Sequence, residues 1–181
     1  ISQTFKDKRV LVAGASGFIG INLVNKLIKI GAKVSGTYYK NQNFNRHSNC
    51  KYIQANLEDR DDAFKVTKDV DYVFMCAANT SGAAIMDKTP LIHLTPNVIM
   101  NSRMLEAAYS NDVKKFCFIS SNTVYPLTDS PVSEADVNYE FFDKYQIVGW
   151  MKLFSEKMCK MYSDFIEHPM DTLIVRPGNI Y

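Results

Sequence analysis

Apolar residues along this chain alternate between two patterns, short unbroken runs and longer stretches spaced every three or four positions. Residues 10–13 (Val10, Leu11, Val12, Ala13) form an unbroken run, the signature of a strand buried on both faces of a parallel sheet. From Phe18 the spacing turns helical through Ile19, Leu23, Val24, Leu27 and Ile28, and Gly31 closes the element. Residues 32–38 and 51–55 predict the second and third strands. The next helix starts around Asn56 to Asp59, with Asp59 or Asn56 as its cap. Residues 71–78 predict a fourth strand ending in small side chains, and residues 79–95 a loop broken by Pro90 and Pro96. A helix over 97–110 turns Val98, Met104, Leu105 and Ala108 inward, and residues 115–120 form the fifth strand. A polar, acidic surface loop then runs to Gln146, carrying Asp129, Glu134, Asp136, Glu140 and Asp143. The helix predicted over 149–166 places Trp150, Leu153, Phe154, Met158, Met161, Tyr162 and Phe165 at core spacing, and residues 171–175 make the sixth strand. Residues 1–7 read as a frayed lead-in.

Strand and helix in alternation imply an α/β fold, a doubly wound parallel sheet. Such sheets bind ligands at the carboxyl ends of their strands, where Gly14, Ala77, Ser121 and Pro177 fall. Gly14, Gly17 and Gly20 punctuate the turn between the first strand and the first long helix. Unpaired amides and the positive end of the helix dipole face an anion there, and glycine lets backbone approach a pyrophosphate closely. The strand, turn, helix and second strand in succession supply the context a dinucleotide-binding glycine motif needs. Gly14, Ser16, Gly17, Phe18, Ile19 and Gly20 are therefore candidate cofactor contacts.

About twenty residues past such a turn, an acid commonly holds the adenosine ribose hydroxyls. Here the segment reads Gly36, Thr37, Tyr38, Tyr39, Lys40, with no acid. Lys40, and Arg46 in the following loop, point instead to a 2′-phosphate, which favours NADP over NAD. Solvated loop charges are the other reading of both. Tyr38, Asn56 and Leu57 fall where an adenine and its ribose would rest, and Ala77 and Ala78 leave room for a cofactor across the fourth strand's end.

The 181 residues are 46% apolar and 22% charged, which suits one domain with a proper core. A net charge of +2 gives no reason to expect nucleic acid or an anionic membrane as partner. No apolar run approaches the roughly 18 residues of a membrane span. Cys50, Cys76, Cys117 and Cys159 are scattered without metal-ligand or disulfide spacing, so no metal is expected and a cytoplasmic setting is the default.

Taken in order, the segments 14–20, 76–78, 97–108, 120–125, 152–156 and 176–181 resemble the extended short-chain dehydrogenase/reductase family, in particular its nucleotide-sugar epimerases, dehydratases and reductases. The stretch from Ala77 to Pro126 is similar to GDP-fucose synthases. The resemblance implies a Rossmann fold over residues 1–181, a nucleotide-diphosphate sugar as substrate, and pairing as a homodimer through two helices. It implies that Ser121 bonds a sugar oxygen, with Asn122, Thr123, Tyr125 and Asn179 near the sugar, and that Lys152 and Pro177 lie at the nicotinamide end. In the family a tyrosine four residues before the lysine exchanges a proton with the sugar hydroxyl as hydride passes to or from the cofactor.

Here that position is Val148, which neither donates nor accepts a proton. Using Tyr145 instead places Gly149 where the lysine should stand. Three readings stay open: Tyr145 or Tyr125 reaches the site from the loop side; Ser121 with Lys152 or a water moves the proton; or the domain binds NAD(P) without hydride chemistry, as a redox sensor or scaffold. For Ser121 a strand-end cap is the competing role, and for Lys152 a surface pair with Glu156. The family's chain continues into a smaller substrate domain, so the sequence is expected to stop short of it.

Overall fold

The structure, a computed structural model, describes residues 2–80, 89–178 and 180. Six parallel strands form one sheet among them: β1 (Arg9–Ala13), β2 (Lys33–Tyr38), β3 (Cys50–Gln54), β4 (Tyr72–Met75), β5 (Lys115–Ile119) and β6 (Asp171–Val175). Their order is β3-β2-β1-β4-β5-β6, so the winding reverses between β1 and β4 and opens a crevice at the carboxyl ends there. The helices are α1 (Ser2–Phe5), α2 (Phe18–Lys29), α3 (Arg60–Thr67), α4 (Leu94–Ser110) and α5 (Gln146–Asp164).

The unbroken apolar run of β1 is explained by its two buried faces. Val10 and Val12 pack with Val24 and Leu27 of α2, while Leu11 and Ala13 join the layer holding Met104 and Leu105 of α4 and Met158 of α5. On the α2 side, Leu173 and Val175 of β6 remain half exposed. No described helix is long and apolar enough to cross a membrane.

Several expected boundaries move. The fourth strand ends at Met75 rather than at residue 78, which frees Cys76, Ala77 and Ala78 from the ladder. The helix expected from residue 97 starts at Leu94, with Pro96 inside its first turn, where a missing N–H costs nothing. A short 3₁₀ turn, Pro90–Ile92, precedes it inside the expected loop. Asp59, not Asn56, caps α3 by accepting the Asp62 amide at 3.0 Å. The long helix α5 begins one turn early, at Gln146.

That helix also has two apolar faces where one was expected. Leu153 and Met158 are buried, but Trp150, Phe154, Met161 and Phe165 are 47%, 48%, 53% and 77% exposed. Their spacing of four, seven and four residues is helical too, so periodicity alone could not say which stripe meets the sheet. The acidic loop before α5 is built of short 3₁₀ turns, Glu134–Asp136 and Asp143–Tyr145, the first closed by a Ser133–Asp136 capping box.

At the amino-terminal edge of the sheet, Asp71 accepts from the Arg9 amide at 2.9 Å, its Nε at 3.2 Å and Lys114 Nζ at 3.1 Å. These bonds, chiefly that from the Arg9 side chain, hold the Asp71 carboxyl well below the usual carboxylate range. A lowered folded value means the stabilisation is fully present above the unfolded value of about 3.9 and is lost as pH falls through the folded one. Between about pH 5 and about pH 3, the urea midpoint of the wild type should therefore fall more steeply than that of an Asp71→Asn variant, which starts lower. Equal slopes would show that Asp71 does not carry the acid limb.

Candidate functional site

The turn from β1 into α2 is held by three constraints. Gly14 has φ +81°, and a Cβ there would lie 2.6 Å from the Ala77 backbone. Gly20 faces the Gly14 carbonyl so closely that any side chain would overlap it. Thr37, buried in β2, accepts the Gly14 amide on its hydroxyl at 3.0 Å, and its carbonyl takes the Ala15 amide at 2.7 Å. Gly17 differs. Its backbone is extended, and a Cβ would meet only the Gly14 carbonyl oxygen, at 3.4 Å. Gly17 is also the N-cap of α2 and no side chain caps the helix, whose first internal bond is Ile21 N to Gly17 O at 2.9 Å. The amides of Phe18, Ile19 and Gly20 precede that bond and lack intrahelical acceptors.

In front of this turn lies a cavity of about 520 Å³, walled by the ends of β1 to β4. Of the sequence candidates, Gly14, Ser16, Gly17, Tyr38, Lys40, Asn56, Leu57, Ala77 and Ala78 line it. Phe18, Ile19, Gly20, Lys152 and Pro177 do not: Phe18 is exposed on α2, and Gly20 is buried behind the turn. Glu58, Asn79 and Met100 are among the other residues of the wall. Asn79 is pinned by Asn97 of α4, which accepts its amide at 2.8 Å and donates to its carbonyl at 2.9 Å. Lys40 stands 5.2 Å from the Tyr39 ring centroid at the cavity wall. Arg46 lies outside it, its guanidinium over the rings of Tyr38, Phe44 and Tyr52 at 4.7, 4.9 and 5.6 Å.

Across the switch point, β5, β6 and α5 bring together a second group. Lys152 reaches under the end of β5 and donates to the Ile119 carbonyl at 2.8 Å, 5.0 Å from the Phe118 ring centroid. Burial lowers its amine to about 8. It does not pair with Glu156. That carboxylate is 3% exposed, accepts from Ser120 Oγ at 2.5 Å, and takes a bidentate grip from Arg176 Nε at 3.0 Å and Nη2 at 2.6 Å. Arg176 also donates to Tyr125 Oη at 3.0 Å, so the Tyr125 hydroxyl is engaged as part of this clamp.

Ser121 Oγ accepts the Thr123 amide at 3.2 Å and donates to Asn122 Oδ1 at 3.4 Å, capping the 3₁₀ turn Asn122–Val124. The Asn122 amide in turn donates to the Pro177 carbonyl at 3.0 Å. Thr123 Oγ1 is buried and finds no partner among the described residues. Asn179 lies outside the described residues. Val148 sits on α5 one turn before Lys152, half buried, and Tyr145 is the helix N-cap, its ring against Phe142 at 5.7 Å. Gly149 between them is a packing requirement the sequence reading missed: a Cβ would come 2.7 Å from both the Thr123 carbonyl oxygen and the Phe141 ring. The Glu156–Arg176 clamp was missed as well. Its signal was an acid among Leu153, Met158 and Cys159 on an inward stripe, which demands a buried cation.

Residues 10–181 match the NAD dependent epimerase/dehydratase family. GDP-mannose 3,5-epimerase 1 of Oryza sativa subsp. indica is 30% identical over 181 residues, covering 96% of this chain and 47% of that protein. GDP-L-fucose synthase 1 of Arabidopsis thaliana is 26% identical over 185 residues, covering 99% and 53%. Among solved structures, UDP-glucose 4-epimerase with UDP-glucose from Thermotoga maritima superposes with a TM-score of 0.81 at 25% identity, over 96% of this chain and 56% of that one. The chain thus spans about half the length of the relatives it matches. With the six-stranded parallel order, the glycine turn at the switch point and a family match over nearly all of its length, this chain belongs to the NAD dependent epimerase/dehydratase family.

Proposed function

We propose that this chain is the dinucleotide-binding part of an NAD(P)-dependent nucleotide-sugar epimerase or reductase, with residues 1–181 as one Rossmann domain. The observation that carries the reading is the pairing of two features at one sheet edge: bare amides behind an open Gly17, and a partly buried Lys152 across the switch point. The diphosphate would lie against the amides of the glycine turn, the adenosine in the cavity beside Tyr38, Asn56 and Leu57, and the nicotinamide toward Pro177 and Lys152. When bound, the nicotinamide supplies a reversible hydride acceptor. Ser121, Asn122 and Thr123 would face the sugar, and the unpartnered Thr123 hydroxyl supports a polar contact there. Two relatives are named for GDP-linked sugars, which makes a GDP-sugar the first ligand to test.

NADP is the favoured form of the cofactor. Lys40 lines the cavity at the end of β2, where an acid would repel a 2′-phosphate, although Glu58 stands in the same wall. Arg46 is held on its aromatic platform and is not part of that wall. Val148 favours a second reading, a domain that binds NAD(P) without turning it over.

The exposed stripe of Trp150, Phe154, Met161 and Phe165 supports a homodimer through α5. A Phe154→Glu variant should sediment as a monomer at concentrations where the wild type sediments as a dimer; a monomeric wild type refutes the pairing.

Fluorescence titration with NADPH and NADH tests the binding site. Gly17→Val should weaken both by on the order of a hundredfold, about 2.7 kcal/mol, with only a small fall in the urea midpoint from the poorer N-cap, since its backbone is extended and the space open. Undiminished affinity in that variant would refute the placement of the diphosphate. Lys40→Ala should weaken NADPH roughly tenfold and leave NADH unchanged, as expected for one lost charged hydrogen bond. An equal loss for both would place the 2′-phosphate elsewhere.

A further inference from the structure

We propose that His93 is a positioning residue of the dinucleotide site, and that the residue it positions, Asn79, bonds the cofactor through its side-chain amide. The proposal rests on the dinucleotide reading above and adds two residues to it. His93 stands at the N-cap of α4, yet its side chain caps none of that helix's amides. Its ring turns instead toward the segment leaving β4, where Nδ1 lies 3.1 Å from the Asn79 carbonyl oxygen. A carbonyl only accepts, so Nδ1 carries the proton of that bond. Asn97, one turn on, supplies the other bonds. Its amide nitrogen donates to the Asn79 carbonyl at 2.9 Å and to the His93 carbonyl at 2.6 Å, and its oxygen accepts the Asn79 N–H at 2.8 Å. His93 and Asn97 are 4% and 2% exposed.

Buried polar side chains are costly unless they are bonded, and what these two bond is the main chain of a single residue. The Asn79 N–H and both lone pairs of its carbonyl oxygen are taken, so that stretch of backbone is held from α4 on every polar atom. Its place matters because of what it adjoins. The Cys76 amide donates to the Ala13 carbonyl at 3.0 Å, and the Ala77 backbone lies 2.6 Å from the position a Gly14 Cβ would take. The end of β4 is therefore laid against the glycine turn. Asn79 follows two residues later, exposed, and lines the same cavity as Gly14 and Gly17. With its main chain spent on α4, its side-chain amide makes no hydrogen bond among the described residues. A carboxamide presents a donor and an acceptor together, which suits a ribose hydroxyl, itself both. Lys40, the candidate for the 2′-phosphate, follows β2, and β2 and β4 lie on opposite sides of β1. Asn79 accordingly meets a part of the ligand that NADPH and NADH share.

Two measurements test this. In fluorescence titrations, Asn79→Ala should weaken NADPH and NADH alike by roughly tenfold, as for one lost hydrogen bond. Its urea midpoint should stay in place, since the side chain is exposed. His93→Leu should weaken both ligands to a similar extent. His93→Asn, whose amide nitrogen can stand in for Nδ1, should recover most of that loss. Because His93 acts through Asn79, the double variant His93→Leu, Asn79→Ala should bind no worse than Asn79→Ala alone. The second measurement is the ¹⁵N spectrum of the histidine rings at about pH 8, with the His93 signals identified by their loss in His93→Asn. His93 should carry its proton on Nδ1. His47, whose Nδ1 accepts the Asn49 amide at 3.1 Å, should show the opposite tautomer and serves as the reference. Wild-type affinity in Asn79→Ala, additive losses in the double variant, or a His93 proton on Nε2 alone overturns the proposal and leaves the dinucleotide reading standing. Should His93→Leu not fold, Asn79→Ala and the wild-type spectrum decide. A wild type that binds neither dinucleotide overturns the site reading itself, and this assignment with it.

Discussion

The carboxylate of Glu156 is the constraint on which the half of the crevice built by β5, β6 and α5 depends. At 3% exposure it joins three separate pieces of chain: α5, on which it stands; β5, through Ser120; and the segment leaving β6, through Arg176. Two charges removed from water are costly, and a buried pair is tolerated only with good geometry and further bonds to satisfy it. Here the fork is bidentate, and the spare donors of Arg176 go to Tyr125 Oη and the Glu134 carbonyl. Removing either partner would strand the other, a loss typically of about 3–5 kcal/mol. The clamp therefore fixes the distance between the strand end holding Ser121 and the helix holding Lys152, and it does so without touching either side chain.

The opposite half of the crevice is organised by a different principle. Its critical surfaces are backbone: Gly14 against Ala77, Gly20 against the Gly14 carbonyl, and Thr37 tying the turn to β2. Such a site is built by the absence of side chains, and it places amides rather than functional groups. The two halves meet where β1 and β4 part. Their physical independence has a consequence for how the chain can vary. Val148 stands on α5 and the glycine turn joins β1 to α2, so a change in one half leaves the contacts of the other in place.

The sequence disclosed this architecture unevenly, and the reasons are physical. Strands buried on both faces announce themselves as unbroken apolar runs, so β1 and β5 were placed to within a residue, and the glycine turn followed from its position between strand and helix. The strand ends were less legible because Cys76, Ala77 and Ala78 are apolar, yet leave the ladder to wall a cavity. Helix α5 misled in a more instructive way. Trp150 and Phe154 carry the same period as Leu153 and Met158, and a moment along one chain cannot distinguish a stripe that meets the sheet from one that faces out. Side-chain partners across long separations were the least legible. Glu156 was readable as a local pair with Lys152, whereas its partner lies twenty residues on, beyond β6.

That misreading bears on the chemistry. A Lys152 paired with Glu156 at one helical turn would be held as an ammonium by the adjacent charge, with no lone pair to take a proton. Committing Glu156 to Arg176 leaves Lys152 with the Ile119 carbonyl in place of a carboxylate; burial lowers its amine to about 8, while the Glu156 charge still acts in the opposite direction. The buried ion pair is thus more than a brace for the fold: by engaging Glu156 it leaves Lys152 to the strand-end carbonyl of Ile119.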